Sequence, residues 1–160
     1  MTGLPFDFPS RVSSMNDAVH LAVDYLDDLA FRGTSSQGTS LILDGGSSGN
    51  GFKPTELLLA ALGACSGIDV VEIMRKKRQP LNHYRIEIEG HRAESHPRRF
   101  QSITVRHIGS GPCVTEEALR QAAILSHERY CSVGASLNSE VMVEVRVVTT
   151  WLEPGRGDVP

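Results

Sequence analysis

The sequence has too few cysteines and too little net charge for several common classes of protein. Its three cysteines are scattered, odd in number and without a C-x-x-C pair, so neither a disulfide framework nor a zinc site is predicted. A formal net charge of -3 gives no basic surface for nucleic acid. Residues 1–14 lack a basic start followed by an apolar core, which argues against a secretory signal peptide and for a cytoplasmic protein.

One apolar stretch is long enough to raise the question of a membrane span. Leu57 to Met74 is apolar apart from Ser66, Asp69 and Glu72. The two acids would be costly in hydrocarbon, and the uncharged part is shorter than the roughly 20 residues that a span requires. The stretch therefore predicts a buried helix, and no membrane association is expected.

The ends of this helix are marked by residues with known terminal preferences. Pro54 suits the first helical position, and Glu56 places a carboxylate in the first turn. Four cations at residues 75–78 and then Pro80 indicate an end near Lys77. Because residues 57–71 are apolar nearly all round, the helix needs cover on every side, which predicts a dimer with this helix at its centre.

The remaining elements follow from alternation and capping. Alternating apolar residues predict strands near residues 19–23, 29–32, 41–43, 84–89, 103–106 and 141–147. A hairpin turn is expected around Ser35 to Gly38, and Thr115 is a good cap for a second helix that ends near Tyr130. The order predicts an α+β fold in one domain, residues 15–152, with an N-terminal extension at 1–14 and a flexible tail at 153–160.

Cys65 is the first candidate for chemistry. It lies in GACSG, residues 63–67, where small neighbours leave room beside the sulfur. A buried structural cysteine is the alternative, since free cysteine is among the most buried residue types. Cys65 is about three turns from Pro54, beyond the reach of the helix dipole, so a thiolate there needs a cation from elsewhere in the fold. Arg32, in Phe31-Arg32-Gly33, is the candidate.

Cys131 is the second candidate. It follows the predicted second helix, whose C-terminus would disfavour a thiolate, and this suits a resolving cysteine better than an attacking one. His127, one turn earlier, suggests a Cys-His pair or half a metal site, but an exposed helical histidine is favoured because a metal needs about four ligands. Cys113 is a loop residue with no assigned role.

Two segments carry a resemblance to a known family. Residues 54–71, PTELLLAALGACSGIDVV, resemble the cysteine helix of the OsmC/Ohr superfamily, and residues 130–133, YCSV, resemble its second cysteine motif. The likeness covers roughly residues 19–148 and looks closest to the OsmC-like branch. It implies an OsmC-like fold, with antiparallel sheets wrapped around two central helices in an intertwined homodimer, and a site at the subunit interface.

The resemblance also implies a reaction. Cys65 would attack a small organic hydroperoxide and become a sulfenic acid, and Cys131 would capture it as a disulfide. An external dithiol, lipoyl-type or thioredoxin-like, would then reduce the disulfide, with no bound cofactor or metal. Arg32 and Glu56 would supply the activating clamp. In the family's peroxidases the glutamate directly follows the helix-opening proline; here Thr55 is in that place and Glu56 comes about 100° further around the helix.

These observations lead to one expected function and two alternatives. A thiol-dependent peroxidase of the stress response is expected, and apolar walls from Leu58 and Leu62 favour organic hydroperoxides over hydrogen peroxide. The first alternative is a non-catalytic OsmC-like dimer that binds a small apolar ligand, which the displaced Glu56 supports. The second is a thiol redox sensor in which the disulfide is the signal.

Overall fold

The structure, a computed structural model, describes residues 18–46 and 49–151. It divides into two compact units, Met1–Leu57 and Leu58–Pro160. The predicted extension at 1–14 and tail at 153–160 lie outside the described residues. The assignment of residues 15–152 to one domain stays a prediction.

The first unit contains a three-stranded antiparallel sheet. Its strands, in the order β1-β2-β3, are β1 (Leu21–Asp27), β2 (Ala30–Ser35) and β3 (Ser40–Asp44). The turn between β2 and β3 is closed by the Gly38 N–H, which donates to the Ser35 carbonyl at 2.9 Å. Gly38 has a φ of +86°, a conformation that glycine adopts without strain. The predicted hairpin is therefore confirmed.

Most of the large apolar side chains described in the first unit are exposed, although Ile42 and Leu43 of β3 are half-buried. None of the buried hydrophobic residues of the described chain lies in this unit. Its exposed large hydrophobic residues are Val19, Leu21, Val23, Tyr25, Leu26, Leu29, Phe31, Leu41 and Phe52. A large exposed apolar patch on a protein is typical of a surface that another molecule covers.

The remaining elements comprise helices and a second sheet. In chain order they are α1 (Pro54–Lys76), β4 (His83–Arg92), β5 (Phe100–Ser110), α2 (Glu116–Leu125), a π-helical turn (Ser126–Tyr130), α3 (Ser132–Ala135) and β6 (Glu140–Val147). The predicted α+β class is confirmed. The sheet, in the order β4-β5-β6, is antiparallel between β4 and β5 but parallel between β5 and β6. The prediction of antiparallel sheets was wrong for β5 and β6. These two strands are parallel because α2 and α3 carry the chain back to the other end of the sheet before β6 begins.

Helix α1 packs tightly on the second sheet. A Cβ at Gly67 would lie 2.6 Å from Ile86 Cδ1, and one at Gly63 would overlap the Ile88 side chain, so the two glycines allow the close approach. By length and composition α1 is apolar enough to cross a membrane, a test that core helices of soluble proteins also pass. Its buried residues face β4 and α2, as a core helix requires.

Two apolar clusters fill the space between the helices and the second sheet. One contains Val70 and Met74 of α1 with Ala118, Leu119, Ala122 and Ala123 of α2. The other contains Leu62, Phe100, Ile103, Val105 and Cys131. The Thr115 cap of α2 is confirmed, because its hydroxyl oxygen accepts a hydrogen bond from the Ala118 N–H at 3.2 Å.

A buried polar pair interrupts this core. His107 continues the inward-facing alternation of Ile103 and Val105 on β5, and only 1% of its surface is exposed. Its Nδ1 is hydrogen-bonded to the Tyr84 hydroxyl. Burial lowers the pKa of His107 to about 4 and raises the pKa of Tyr84 above its ordinary value. The pair is therefore uncharged at neutral pH.

Truncation of Leu119 tests the α1–α2 core. Leu119 is fully buried, so Leu119→Ala should lower the free energy of unfolding by about 2–5 kcal/mol, measured by denaturant titration. Arg120→Ala, its neighbour in sequence, removes only an exposed i,i+4 pair with Glu116 and should cost about 0.5 kcal/mol or less. Equal losses in the two variants would contradict this core.

The buried His107 predicts a loss of stability in acid. Its pKa in the folded state, about 4, is below the 6.5 of an unfolded chain, so only the unfolded state binds the proton as the pH falls from 6.5 towards 4. The folded state should lose up to about 3 kcal/mol over this range. Unfolding titrations of His107→Gln, which has no imidazole to protonate, should show a smaller loss. The exposed His91→Gln is the control, and parallel curves for His107→Gln and the wild type would refute the assignment.

Candidate dithiol site

The structure brings Cys65 and Cys131 together. Cys65 is half-buried on α1, and Cys131, with 3% of its surface exposed, follows the π-helical turn. Both pack in the cluster around Leu62 and Ile103, and the Cys65 thiol is near enough to raise the pKa of Cys131. Two cysteines that are far apart in sequence thus form one free dithiol.

The π-helical turn determines where Cys131 lies. The Cys131 N–H donates to the Ser126 carbonyl at 2.9 Å, which closes a turn one residue wider than that of an α-helix. Its Sγ then accepts a hydrogen bond from the Gly134 N–H at 3.3 Å and so caps α3. The sequence predicted a helix end near Tyr130 but neither the π-helical turn nor α3. Cys131 lies between two helices, not simply after one.

The surroundings of Cys131 keep it protonated. Burial, the largest cause, raises the pKa of Cys131 to about 11; the Cys65 thiol and the Asp69 charge raise it too, while the Gly134 N–H lowers it. The sequence predicted a disfavoured thiolate, but it attributed this to a helix C-terminus. Since the thiolate is the reactive form, Cys131 is a poor nucleophile at neutral pH.

Asp69 is a site residue that the sequence reasoning did not identify. It lies one turn after Cys65 on α1, half-buried, and its Oδ2 accepts a hydrogen bond from the Ser126 hydroxyl at 2.8 Å. The sequence analysis considered Asp69 only as an acid in an apolar stretch. Its i,i+4 spacing from Cys65 was the available signal, because residues at that spacing share a helix face.

A small cavity lies beside Cys131. Its polar lining comes from Ser66, His107, His127 and the Cys131 thiol, and its volume of about 10 Å³ is close to the least that holds one water molecule. His127 was predicted to be an exposed helical histidine; instead it is half-buried and faces the same cavity as Cys131. Among residues 18–46 and 49–151, no three His, Cys, Asp or Glu side chains are grouped to hold a metal ion.

The two predicted clamp residues lie in the first unit. Arg32 is exposed on β2, opposite Asp24 of β1 and Ile42 of β3. Glu56 is exposed in the first turn of α1, where its Oε2 accepts a hydrogen bond from the Lys53 N–H at 2.9 Å. Within this described unit the two side chains form no ion pair with each other. Their association with Cys65 stays a prediction.

Comparison with known proteins relates this fold to a family. Residues 45–146 match the family described as OsmC-like protein. Protein YhfA of Escherichia coli (strain K12) is 36% identical over 121 residues, which cover 76% of this chain and 90% of YhfA. A hypothetical protein from Aquifex aeolicus VF5, known from its crystal structure, is 32% identical with a TM-score of 0.75, covering 86% of this chain and 100% of that one.

A second solved structure extends the likeness in fold. The Organic Hydroperoxide Resistance Protein OhrB of Bacillus subtilis matches with a TM-score of 0.56 at 17% identity, covering 81% of this chain and 98% of OhrB. The family match spans more than half of the chain, and the predicted resemblance is confirmed. With its two cysteine segments and its α+β fold, this chain belongs to the OsmC-like protein family.

Proposed function

We propose that this protein is a thiol-dependent peroxidase that reduces organic hydroperoxides through Cys65 and Cys131. The observation that carries the proposal is the free dithiol, in which one thiol is held protonated against a half-buried partner. OhrB, whose fold this chain shares, is by name an organic hydroperoxide resistance protein, which supports the assignment.

The proposed cycle has three steps. The Cys65 thiolate attacks the O–O bond of a hydroperoxide ROOH, which gives a sulfenic acid on Cys65 and, after protonation, the alcohol ROH. The Cys131 sulfur then attacks the Cys65 sulfur; the S–S bond forms, the S–O bond breaks, and the leaving hydroxide departs as water with the thiol proton. A dithiol reductant protein, lipoyl-type or thioredoxin-like, returns both cysteines to thiols by exchange.

The substrate preference follows from the walls around Cys65. Leu59 and Ile88 are half-buried in the same cluster as the two cysteines, and their side chains offer no hydrogen bonds to a substrate. Such a surface favours an alkyl or aryl hydroperoxide over hydrogen peroxide. The reaction fits a protective role in the cytoplasm, where reductants keep thiols available.

Activation of Cys65 requires a positive charge, and Arg32 is our candidate. A guanidinium stabilises a thiolate and donates hydrogen bonds to a peroxide oxygen. Glu56 is the candidate to orient Arg32, although its observed partner is the Lys53 backbone. The hydrogen bond from the Lys53 N–H to Glu56 favours the second candidate function, a non-catalytic dimer that binds a small apolar ligand. A redox sensor would use the same free dithiol.

We also propose that the protein is a homodimer. Ile68 on α1 has 66% of its surface exposed, and the sheet of the first unit leaves its large apolar side chains uncovered. Both surfaces need a cover, and a second copy of the chain supplies it in the intertwined arrangement implied by the family resemblance.

Peroxide turnover by cysteine variants tests the proposed reaction. With cumene hydroperoxide and dihydrolipoamide, the wild type should consume peroxide, and Cys65→Ser should lose essentially all turnover because it lacks the attacking sulfur. Cys131→Ser should accumulate a sulfenic acid on Cys65, detected by dimedone labelling and mass spectrometry. Cys113→Ser, which alters an exposed cysteine outside the site, is the control and should retain turnover. If the wild type leaves every hydroperoxide intact, the peroxidase assignment fails.

The oligomeric state tests the proposed dimer. Size-exclusion chromatography with light scattering should give twice the mass of the 17.4 kDa chain. Ile68→Glu places a charge on the exposed apolar face of α1 and should shift the protein to the monomer mass, whereas Ile68→Leu should keep the dimer. A wild type that scatters as a monomer at micromolar concentration would contradict the proposal.

A further inference from the structure

Asp69 joins the two segments that carry the cysteines. It lies on the same helix as Cys65, one turn further on, and accepts a hydrogen bond from the Ser126 hydroxyl at 2.8 Å. The Ser126 carbonyl in turn accepts the Cys131 N–H at 2.9 Å. Two hydrogen bonds thus connect α1 to the backbone of Cys131.

The buried position of Ser126 makes this connection specific. Ser126 is fully buried, and its hydroxyl also lies 3.4 Å from the Ser66 carbonyl oxygen of α1. Asp69 is the nearer of the two acceptors, and a hydrogen bond to a charged group is stronger than one to a neutral carbonyl, so Asp69 favours the arrangement in which Ser126 faces α1. Ser126 opens the π-helical turn, and one residue more or less in that turn would move Cys131 about 100° around the helix axis.

Asp69 also acts on Cys131 through its charge. The groups that face Cys131 are the Cys65 thiol of α1, the Gly134 N–H of α3, and two histidines, His107 of β5 and His127 of the turn. His107 is neutral at neutral pH. The Asp69 carboxylate favours the protonated form of Cys131.

We propose that Asp69 is a positioning residue for the second step of the reaction. It fixes the π-helical turn so that the Cys131 sulfur meets the oxidised Cys65. Its charge adds to the burial that favours the thiol form of Cys131, and a protonated thiol is a poor nucleophile towards the hydroperoxide. Asp69 forms no bond with the substrate. The role in catalysis rests on the proposed peroxidase function, whereas the positioning and the charge effect are tested without peroxide.

The charge effect is tested by titrating Cys131 in the absence of any oxidant. In a Cys65→Ser, Cys113→Ser background, which leaves one thiol, the rate of alkylation by iodoacetamide is followed against pH. Asp69→Asn keeps an oxygen that accepts the Ser126 hydrogen bond but removes the charge, and the midpoint should fall to a lower pH than in the parent. Glu72→Gln, an exposed acid on the same helix, is the matched control and should leave the midpoint in place. An unmoved midpoint in Asp69→Asn overturns the charge effect.

The positioning effect is tested by disulfide formation with diamide, which accepts the two electrons and two protons of the dithiol. In a Cys113→Ser background, Asp69→Ala and Ser126→Ala should form the Cys65–Cys131 bond about tenfold more slowly than their parent, because the turn is no longer held. Asp69→Asn, which keeps the acceptor for Ser126, should form the bond at least as fast as the parent, a rescue that general destabilisation would not give. Parent rates in both alanine variants overturn the positioning role.

The two proposals fail in different ways. A wild type that leaves hydroperoxides intact but forms its disulfide with diamide in an Asp69-dependent way refutes the peroxidase and leaves the positioning role standing. Peroxide turnover that is unchanged in Asp69→Ala, with parent diamide rates, refutes only the role of Asp69. If Asp69→Ala does not fold by circular dichroism, the Asp69→Asn titration still decides the charge effect.

Discussion

The close approach of α1 to β4 is the constraint on which the rest of the second unit depends. Gly63 and Gly67 let the helix backbone rest against Ile88 and Ile86, where any larger residue would meet those side chains. Cys65 lies between the two glycines in sequence, so the contact that positions α1 on the sheet also positions the backbone of Cys65. In the sequence analysis these small residues indicated space beside the Cys65 sulfur. In the structure, the two glycines also allow the helix to pack closely against the sheet.

The site couples three kinds of structure that act on one sulfur. The core around Leu62 and Ile103 excludes water from Cys131, the π-helical turn aims its side chain, and Asp69 adds a negative charge nearby. Each of these opposes ionisation of Cys131 or limits its movement. The asymmetry between two chemically identical cysteines therefore comes from the fold around Cys131 rather than from the residues beside it in sequence.

The elements with a strong period or cap were predictable from sequence, and the elements set by tertiary contacts were not. Pro54 and the cations at residues 75–78 located α1, and Thr115 located the start of α2. The parallel pairing of β5 with β6 was not predictable, because the alternation of apolar and polar residues in a strand is the same whether its neighbour is parallel or antiparallel. Cys65 and Cys131 were found as candidates, and family resemblance paired them. The positions of Asp69 and His127 beside Cys131 were not predicted, because a hydrogen bond to Ser126 and a shared cavity are visible only once α1 and the turn are brought together.

The uncovered sheet of the first unit has a consequence for how the protein holds together in dilute solution. Strands whose apolar faces meet no core of their own draw their stability from a surface they must encounter. Where that surface is another copy, unfolding becomes a reaction whose midpoint depends on protein concentration, and dilution alone weakens the fold. The folded state of such a protein would be more stable at higher protein concentration, so its stability would rise with its cellular level.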